Sequence, residues 1–492
     1  MKVQFNPKRS AVVVAVSFCL AFFMIYKLIM TTGLIPGANP DVDIITEAIQ
    51  DSEARRITVE GRFLDRNGDA ITEANERGKP AKLLYPKAYS YLIGYNSPIY
   101  ETSGLRNRLY RDLFYGGEDG IGAEVTLTTD NSLQQFCYDQ IGAYEGSIIV
   151  MNAHTGELLA CASRSSGEID YDVNIIDQRY DSNEDGVVDD KDHRMYSLYA
   201  TYPAFFLNRA TISEDPPGST FKIATGAAMI ENGLGDYTFD DLDGTYKVAG
   251  TVVKNVMLDG DTRLTLGPGA NMANAFRKSA NVYFASGAVE MGAKAYQQTA
   301  ERFLLCQTIH LDFATLKPNF DLGNMNDKAL LAHTAYGQGE LKVSPLQVGM
   351  IMGAVMNDGR MMLPYLIQTV SDDGRVERQT KPTAAVQTAM VDGVEQVIDD
   401  TPPMGPETAE LLKKYLHAAA LGYGLEEESY GMVYAKTGTA ESSSENHIYM
   451  VAAVEDTSWG DLVIVVDRAH VSGSSSDLKG TMKNILGYLV TA

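Results

Sequence analysis

Pro216-Pro217-Gly218-Ser219-Thr220-Phe221-Lys222 runs directly into Ile223-Ala224-Thr225-Gly226-Ala227-Ala228-Met229-Ile230. Two prolines and a glycine force a turn, and the nearly unbroken apolar run after them predicts a buried helix from Phe221 to Ile230. Ser219 falls at the N-terminus of that helix. Unpaired backbone amides there favour developing negative charge, as an attacking alkoxide and a tetrahedral intermediate require. Lys222 sits one turn later on the same face. A lysine in an apolar helix is expected to be partly desolvated, which lowers its pKa and lets the neutral amine take the serine proton. For such a motif in isolation, an N-cap serine followed by a snorkelling lysine is the commoner reading.

Two further motifs follow in order, Ser279-Ala280-Asn281 and Lys436-Thr437-Gly438. Each is weak alone: Ser476-Asp477-Leu478-Lys479 repeats the first pattern and Ser444-Glu445-Asn446 the second, with nothing around them to indicate a site. Ser279 and Asn281 follow a helical stretch, Met272 to Lys278, and are expected at a loop or helix junction. A hydroxyl there can relay a proton between Lys222 and a leaving amine, and Asn281 offers a donor and an acceptor to a substrate amide. Lys-Thr-Gly lies on a strand, Val433 to Ala440, where Gly438 permits close approach by a ligand. Lys436 and the hydroxyls of Thr437 and Thr439 then supply a cation and donors for a carboxylate.

Strand signal lies at both ends of the larger part of the chain. Val125-Thr126-Leu127 precedes a helical stretch from Leu133 to Ile141, and a hairpin is predicted from Ser147 to Met151 and Glu157 to Ala162 around His154-Thr155-Gly156. Val433 to Ala435, Ile448 to Val454 and Leu462 to Val466 form a meander, with a closing helix from Leu478 to Leu489. The middle reads as mostly helical, at Ile223 to Ile230, Asn271 to Met291 and Ser344 to Met356. The expected architecture is an antiparallel sheet covered by helices, an α/β sandwich. Ahead of it, Ile57 to about Gly122 alternates strand-like runs such as Ile57-Thr58-Val59-Glu60 with turns, and reads as a small separate domain.

The 492 residues are enough for two or three domains, and 45% hydrophobic with 21% charged residues is a globular composition. Lys+Arg 41 against Asp+Glu 64 leaves a net charge of -23, which repels phosphate backbones and argues against a nucleic-acid function. Lys2, Lys8 and Arg9 precede an uncharged stretch from Ser10 to Tyr26, continued past Lys27 by Leu28, Ile29 and Met30. This reads as a membrane span with the N-terminus in the cytoplasm, a cleaved signal peptide being the alternative. A linker, Gly33 to Asp43, follows. Cys137, Cys161 and Cys306 have no metal-type spacing and read as small buried hydrophobes without a disulfide framework.

Taken together, the three motifs match the signature set of the penicillin-binding proteins and serine β-lactamases. Nearly the whole chain after the anchor resembles a class B penicillin-binding protein. Gly61-Arg62-Phe63-Leu64-Asp65-Arg66-Asn67-Gly68 is similar to the family's entry into its pedestal. Asn208-Arg209-Ala210, Gly337-Gln338-Gly339 before Ser344-Pro345-Leu346-Gln347, and Lys436-Thr437-Gly438-Thr439-Ala440-Glu441 resemble its transpeptidase motifs. The resemblance implies a five-stranded antiparallel sheet of the serine β-lactamase/transpeptidase type. It also implies a cytoplasmic tail at 1–9, a transmembrane anchor at 10–34, a non-catalytic pedestal or dimerisation-like domain at 35–122 and a transpeptidase domain at 123–492.

It implies Ser219 as nucleophile, Lys222 as general base, Ser279 as proton relay, Asn281 as substrate-amide contact, and Lys436, Thr437, Gly438 and Thr439 around the substrate carboxylate. Backbone amides of Ser219 and Thr439 would form the oxyanion hole. The activity implied is peptidoglycan D,D-transpeptidation, with stem peptides ending in D-Ala-D-Ala as donors, β-lactams as mimics, a membrane glycan polymerase as partner, the catalytic part outside the membrane, and no catalytic cofactor. A D,D-carboxypeptidase or β-lactamase, or a catalytically silent β-lactam sensor or scaffold, remain as alternatives.

Two departures stand out. His447-Ile448-Tyr449 occupies the place of an aromatic-rich strand with Trp, which is expected to bear on substrate or inhibitor preference. An insertion at 181–192 reads as an EF-hand-like calcium loop, with Asp181, Asn183, Asp185, Asp189 and Asp192 as ligands and Gly186 at the sharp turn. Its last position is Asp where Glu is usual; the alternative is a solvated acidic turn, and a bound ion would be structural.

Overall fold

The computed structural model describes residues 50–491 except 52, 117–119, 213–214, 259, 324–325, 392 and 442–444. The expected anchor at 10–34 and the linker after it lie outside the described residues. Among the described residues no helix is long and apolar enough to cross a membrane.

Along the chain come β1 (Phe63–Leu64), α1 (Pro86–Ile93), α2 (Gly104–Arg108), α3 (Tyr110–Phe114), β2 (Glu124–Leu127), α4 (Asn131–Ile141) and the hairpin β3 (Glu145–Asn152) and β4 (Leu158–Arg164). The middle holds α5 (Lys222–Glu231), the short strands β5 (Phe239–Asp241), β6 (Thr245–Val248), β7 (Thr251–Lys254) and β8 (Gly267–Ala270), then α6 (Met272–Lys278), α7 (Asn281–Met291) and α8 (Pro345–Met356). After these come β9 (Ile367–Asp372), β10 (Arg375–Gln379), β11 (Gln387–Val391), β12 (Val394–Asp399), α9 (Pro406–Gly422), β13 (Val433–Glu441), β14 (Asn446–Thr457), β15 (Gly460–Val471) and α10 (Lys479–Thr491).

Strands from both ends of the transpeptidase-like part join in one five-stranded antiparallel sheet of order β13-β14-β15-β3-β4. Ile148 to Met151 and Leu462 to Val466 are buried at every position. Such unbroken apolar runs are what a sheet covered on both faces demands. α8 lies against β14, β15 and β3, and α9 against β13; α4 packs on β3 and β4, and α10 on β14 and β15. All twelve residues of α8 are buried, so it has no polar face at all. Its start is fixed by a capping box in which the Ser344 side chain accepts from the Gln347 amide and Gln347 Oε1 accepts from the Ser344 amide.

The middle is less helical than the sequence predicts. β6 and β7 form a hairpin through Ala249 and Gly250, both at positive φ, and β11 with β12 forms another. The N-terminal region is likewise not a run of strands: residues 53–57 are helical, and of Ile57-Thr58-Val59-Glu60 only Val59 makes a β-bridge, to Ile121. That region is organised instead by a buried ion pair. Arg106 Nε donates to Glu60 Oε1 at 2.6 Å and Nη1 to Gly94 O at 2.7 Å, while Glu60 Oε2 accepts from Ala81 N and Asn96 Nδ2, each at 2.9 Å. Every lone pair and proton that matters has a partner, which is the condition for a buried pair to be tolerated. β1 pairs with β2 in parallel, and β9 joins β2 from the other side, so a four-stranded sheet β1-β2-β9-β10 ties this region to the rest.

Cys137 and Cys161 are buried free thiols, whereas Cys306 is exposed, contrary to the expectation of three buried cysteines. In the acidic insertion, Asp181 accepts from the amides of Asp185 and Gly186, Asn183 from Asp185, and Asp185 from Val187. Asp189 accepts from Lys191 N, and Asp192 from the amides of Ser182 and Asp189. The five side chains thus organise their own loop, and among the described residues no group of three or more His, Cys, Asp or Glu is arranged to hold a metal ion.

Candidate active site

Ser219 sits in a 3-10 turn, Gly218–Phe221, that leads into α5. Gly218 has φ +57 and its amide donates to Gly337 O at 2.9 Å. A Cβ at Gly337 would lie 1.9 Å from Gly218 O, one at Gly218 2.7 Å from the Thr439 backbone, and one at Gly438 2.6 Å from Pro217 O. These three glycines let the turn, the 337–339 segment and β13 meet backbone to backbone. The reason for Gly438 therefore differs from the one expected: it makes room for the protein's own turn at Ser219.

Lys222 is fully buried, and its Nζ lies 2.9 Å from Ser219 Oγ. It donates to Ser279 O and Asn281 Oδ1, both at 2.7 Å, and stands 3.2 Å from Ser279 Oγ. A neutral amine has two protons and one lone pair; with both protons directed at carbonyl oxygens, the lone pair is free for the serine hydroxyl. Burial, with the nearby Lys436 adding to it, holds the Lys222 pKa well below the usual lysine value. The group is prepared as a base by its surroundings.

Ser279 ends α6 in the left-handed conformation, φ +53, an uncommon state for a residue with a side chain. This sharp break separates α6 from α7. Lys436, also fully buried, donates to Ser279 Oγ at 2.8 Å and to Thr437 O at 3.0 Å. A continuous row results: Ser219 Oγ, Lys222 Nζ, Ser279 Oγ, Lys436 Nζ. Burial also lowers the Lys436 pKa, opposed by the Tyr423 phenol beside it. Burial raises that phenol in turn, but Lys436 and Thr437 outweigh it and leave Tyr423 below its ordinary value.

Asn281 Nδ2 donates to Lys254 O at 2.9 Å, so the amide side chain joins Lys222 to the end of β7. Thr437 Oγ1 donates to Tyr423 OH at 3.3 Å, and Thr439 Oγ1 lies 3.3 Å from Ser475 Oγ. Ser219, Ser279, Asn281, Thr437, Gly438 and Thr439 all line one cleft of about 790 Å3; Lys222 and Lys436 lie beneath it. Val252, Val256 and Met257 give the cleft an apolar side, and Lys254 and Arg263 place cations on it.

Residues 146–486 match the family described as the penicillin binding protein transpeptidase domain. The chain belongs to this family. The matched span opens in β3 and closes in α10, so this penicillin-binding protein transpeptidase domain contains all five strands of the central sheet. Over 308 residues it is 28% identical to a peptidoglycan D,D-transpeptidase PbpA of Mycolicibacterium smegmatis, covering 58% of this chain and 59% of the relative. Penicillin-binding protein 3 of Bacillus subtilis is 25% identical over 57% of this chain and 39% of its own length. The chain thus spans roughly two fifths to three fifths of the curated relatives it matches. Among solved structures, the ceftriaxone acyl-enzyme complex of penicillin-binding protein A from M. tuberculosis superposes with TM-score 0.72 at 20% identity, over 90% of this chain and 100% of that one. A D,D-transpeptidase domain from Eggerthella lenta gives 0.71 at 22% identity, over 88% and 98%. At such identities these likenesses establish a shared mixed α/β fold.

Within the penicillin-binding protein domain, several residues at the site escape motif reading. Lys254, Val256 and Arg263 belong to the β7–β8 region, in which no element was singled out within the mostly helical middle. Alternation in Thr245-Tyr246-Lys247-Val248 and Thr251-Val252-Val253-Lys254 around Ala249-Gly250 is the signal that finds that hairpin. Ser475 lies next to the Ser476 to Lys479 repeat that seemed empty of context, and its amide donates to Thr439 Oγ1 at 3.3 Å. His447 does not line the cleft; it is 11% exposed and lies between two carboxylates.

Proposed function

We propose that this protein is a peptidoglycan D,D-transpeptidase working through an acyl-enzyme on Ser219. The observation that carries the reading is Lys222, fully buried, with its amine 2.9 Å from Ser219 Oγ and its protons turned to Ser279 O and Asn281 Oδ1. Lys222 takes the Ser219 proton as Oγ attacks the carbonyl carbon of the penultimate D-Ala. Negative charge on the carbonyl oxygen is met by the amides of Ser219 and Thr439, held in place by the backbone contact of Gly218 with Thr439. Collapse breaks the C–N bond, and the proton passes from Lys222 through Ser279 Oγ to the departing D-Ala amine. An amine from a neighbouring stem peptide then attacks the ester, giving its proton back along the same row and restoring Ser219. The Thr437 and Thr439 hydroxyls, with the charge of Lys436 behind them, receive the donor's terminal carboxylate, and Asn281 faces the donor amide. β-Lactams acylate Ser219 in the donor's place.

In the same reading residues 10–34 anchor the chain, 35–122 form the pedestal, and 123–492 form the catalytic domain outside the membrane, working beside a membrane glycan polymerase. Calcium at the loop 181–192, were it to bind, would be structural, with no part in the chemistry.

The full chain in detergent, incubated with a fluorescent penicillin, is expected to carry a stable label that disappears in Ser219→Ala. Release within minutes would replace the transpeptidase by a hydrolase, and a folded wild type without label would leave a silent scaffold.

A further inference from the structure

His447 lies on β14 opposite Ala440 of β13. By register it shares a face of the sheet with Gly438, Tyr449 and Asp467, the face on which the nucleophile turn rests. Its Nδ1 is 2.8 Å from Asp215 Oδ2 and its Nε2 is 3.0 Å from Asp467 Oδ2. Asp467 is 1% exposed and fixed by the Ser147 amide and hydroxyl; Asp215 stands four residues before Ser219, with its side chain 38% exposed. The Tyr449 ring stacks on the imidazole at 4.3 Å between centroids, with its hydroxyl 3.3 Å from Nδ1. One end of the imidazole is therefore bound to the rigid sheet and the other to the segment that carries the nucleophile.

We propose that Asp215-His447-Asp467 is a clamp in which His447 acts as a positioning residue, holding the segment before Ser219 down on β14 and β15 so that the Ser219 and Thr439 amides stay aligned. This rests on the acyl-serine reading above. The clamp needs both ring nitrogens to donate, which only the imidazolium does. The other ionisable groups around it are Tyr449 against the ring and the Arg209, Glu145 and His470 cluster. In that cluster Arg209 and His470 both pair with Glu145, and both also bear on Asp215. Burial works against the charged imidazole, but the hydrogen bonds and charges of Asp215 and Asp467 prevail, and His447 keeps its proton above the ordinary histidine value of 6.5. Its stabilising contribution is then complete below 6.5 and is lost as pH rises through the raised value. Loss of the proton turns a lone pair toward one carboxylate, and Asp215, the exposed partner on a loop, is the one that lets go.

The decisive variant is Asp215→Asn in the full chain, since the side chain is 38% exposed and the change keeps its size while removing its charge; His447→Gln, which cannot titrate, is the companion. With fluorescent penicillin, Asp215→Asn is expected to acylate about tenfold more slowly at neutral pH, the size of effect that slight misplacement of a reacting group produces. It is also expected to lose the alkaline fall in rate that the clamp predicts for the wild type, and Asp215→Glu to recover most of the rate. A change below about threefold with an unaltered alkaline limb overturns the clamp. If the wild type takes no label, the acyl-serine reading fails and the clamp is judged on melting curves. There the gap between wild type and Asp215→Asn must close as pH rises above 6.5, and a constant gap overturns it.

Discussion

Lys222 shows how much of the chemistry depends on where one side chain is kept. Its amine is out of water, near a second buried lysine, and surrounded by oxygens that accept its protons. Protonated, it cannot take the serine proton; the acylation rate of the wild type is therefore expected to climb as pH rises through the depressed lysine value. Lys222→Ala should lower the second-order rate of penicillin acylation about 10²–10⁴-fold, which stopped-flow labelling measures, and a rate within tenfold of wild type would exclude Lys222 as the base. The same depressed value has a stability sign. Between the depressed folded value and 10.5 the unfolded chain holds a proton that the folded chain has released, so this contribution to stability rises with pH across that window and is flat below it. Ser219, Lys222, Ser279, Asn281 and Lys436, which the structure brings into one row, were legible in the sequence through three short motifs whose set and order resemble those of the penicillin-binding proteins. The clamp partners Asp215 and Asp467 were not, for no local pattern joins residues 215, 447 and 467 before β14 and β15 are paired.

At the scale of elements, long apolar segments were easier to read than short exposed ones. α8 has a capping serine, an N1 proline and an unbroken apolar body, so local and global preferences agree. The β5–β8 strands are three or four residues each and partly exposed, and none of them was singled out within the mostly helical middle. The helical segment from Asn271 to Met291 is two helices that meet at Ser279, where a loop or helix junction was expected, because Ser279 turns left-handed between them. The acidic loop has its own test. Were calcium to bind at ten times its dissociation constant, the folded state would gain about 1.4 kcal/mol, read as a rise in melting temperature over an EDTA control. Asp185→Ala should remove that rise, and identical curves with calcium and with EDTA would end the calcium reading.

For the whole molecule, the N-terminal region and the catalytic part share a continuous core, from Phe63 and Leu92 through Val150 to Leu486, and a sheet that includes β1, β2 and β9. They are expected to unfold in one transition. Glu60→Gln leaves Arg106 charged and buried without its carboxylate, at a cost of about 3–5 kcal/mol. Urea denaturation followed by fluorescence should show the lower midpoint with a single transition, and a separate early step confined to the variant would show instead that the N-terminal region melts alone.

The three glycines beneath the nucleophile turn have a consequence for how such a protein can change over generations. At residues 218, 337 and 438 even one added methyl group meets backbone, so these places are closed to inheritance of any other residue while the turn keeps its shape. The apolar flank is different: Val256 is 51% exposed and Met257 46%, and replacement there disturbs little. A population under selection by an inhibitor has room to vary on that flank and almost none at the turn, so escape is expected to be written along the edge of the cleft, where the natural substrate also passes.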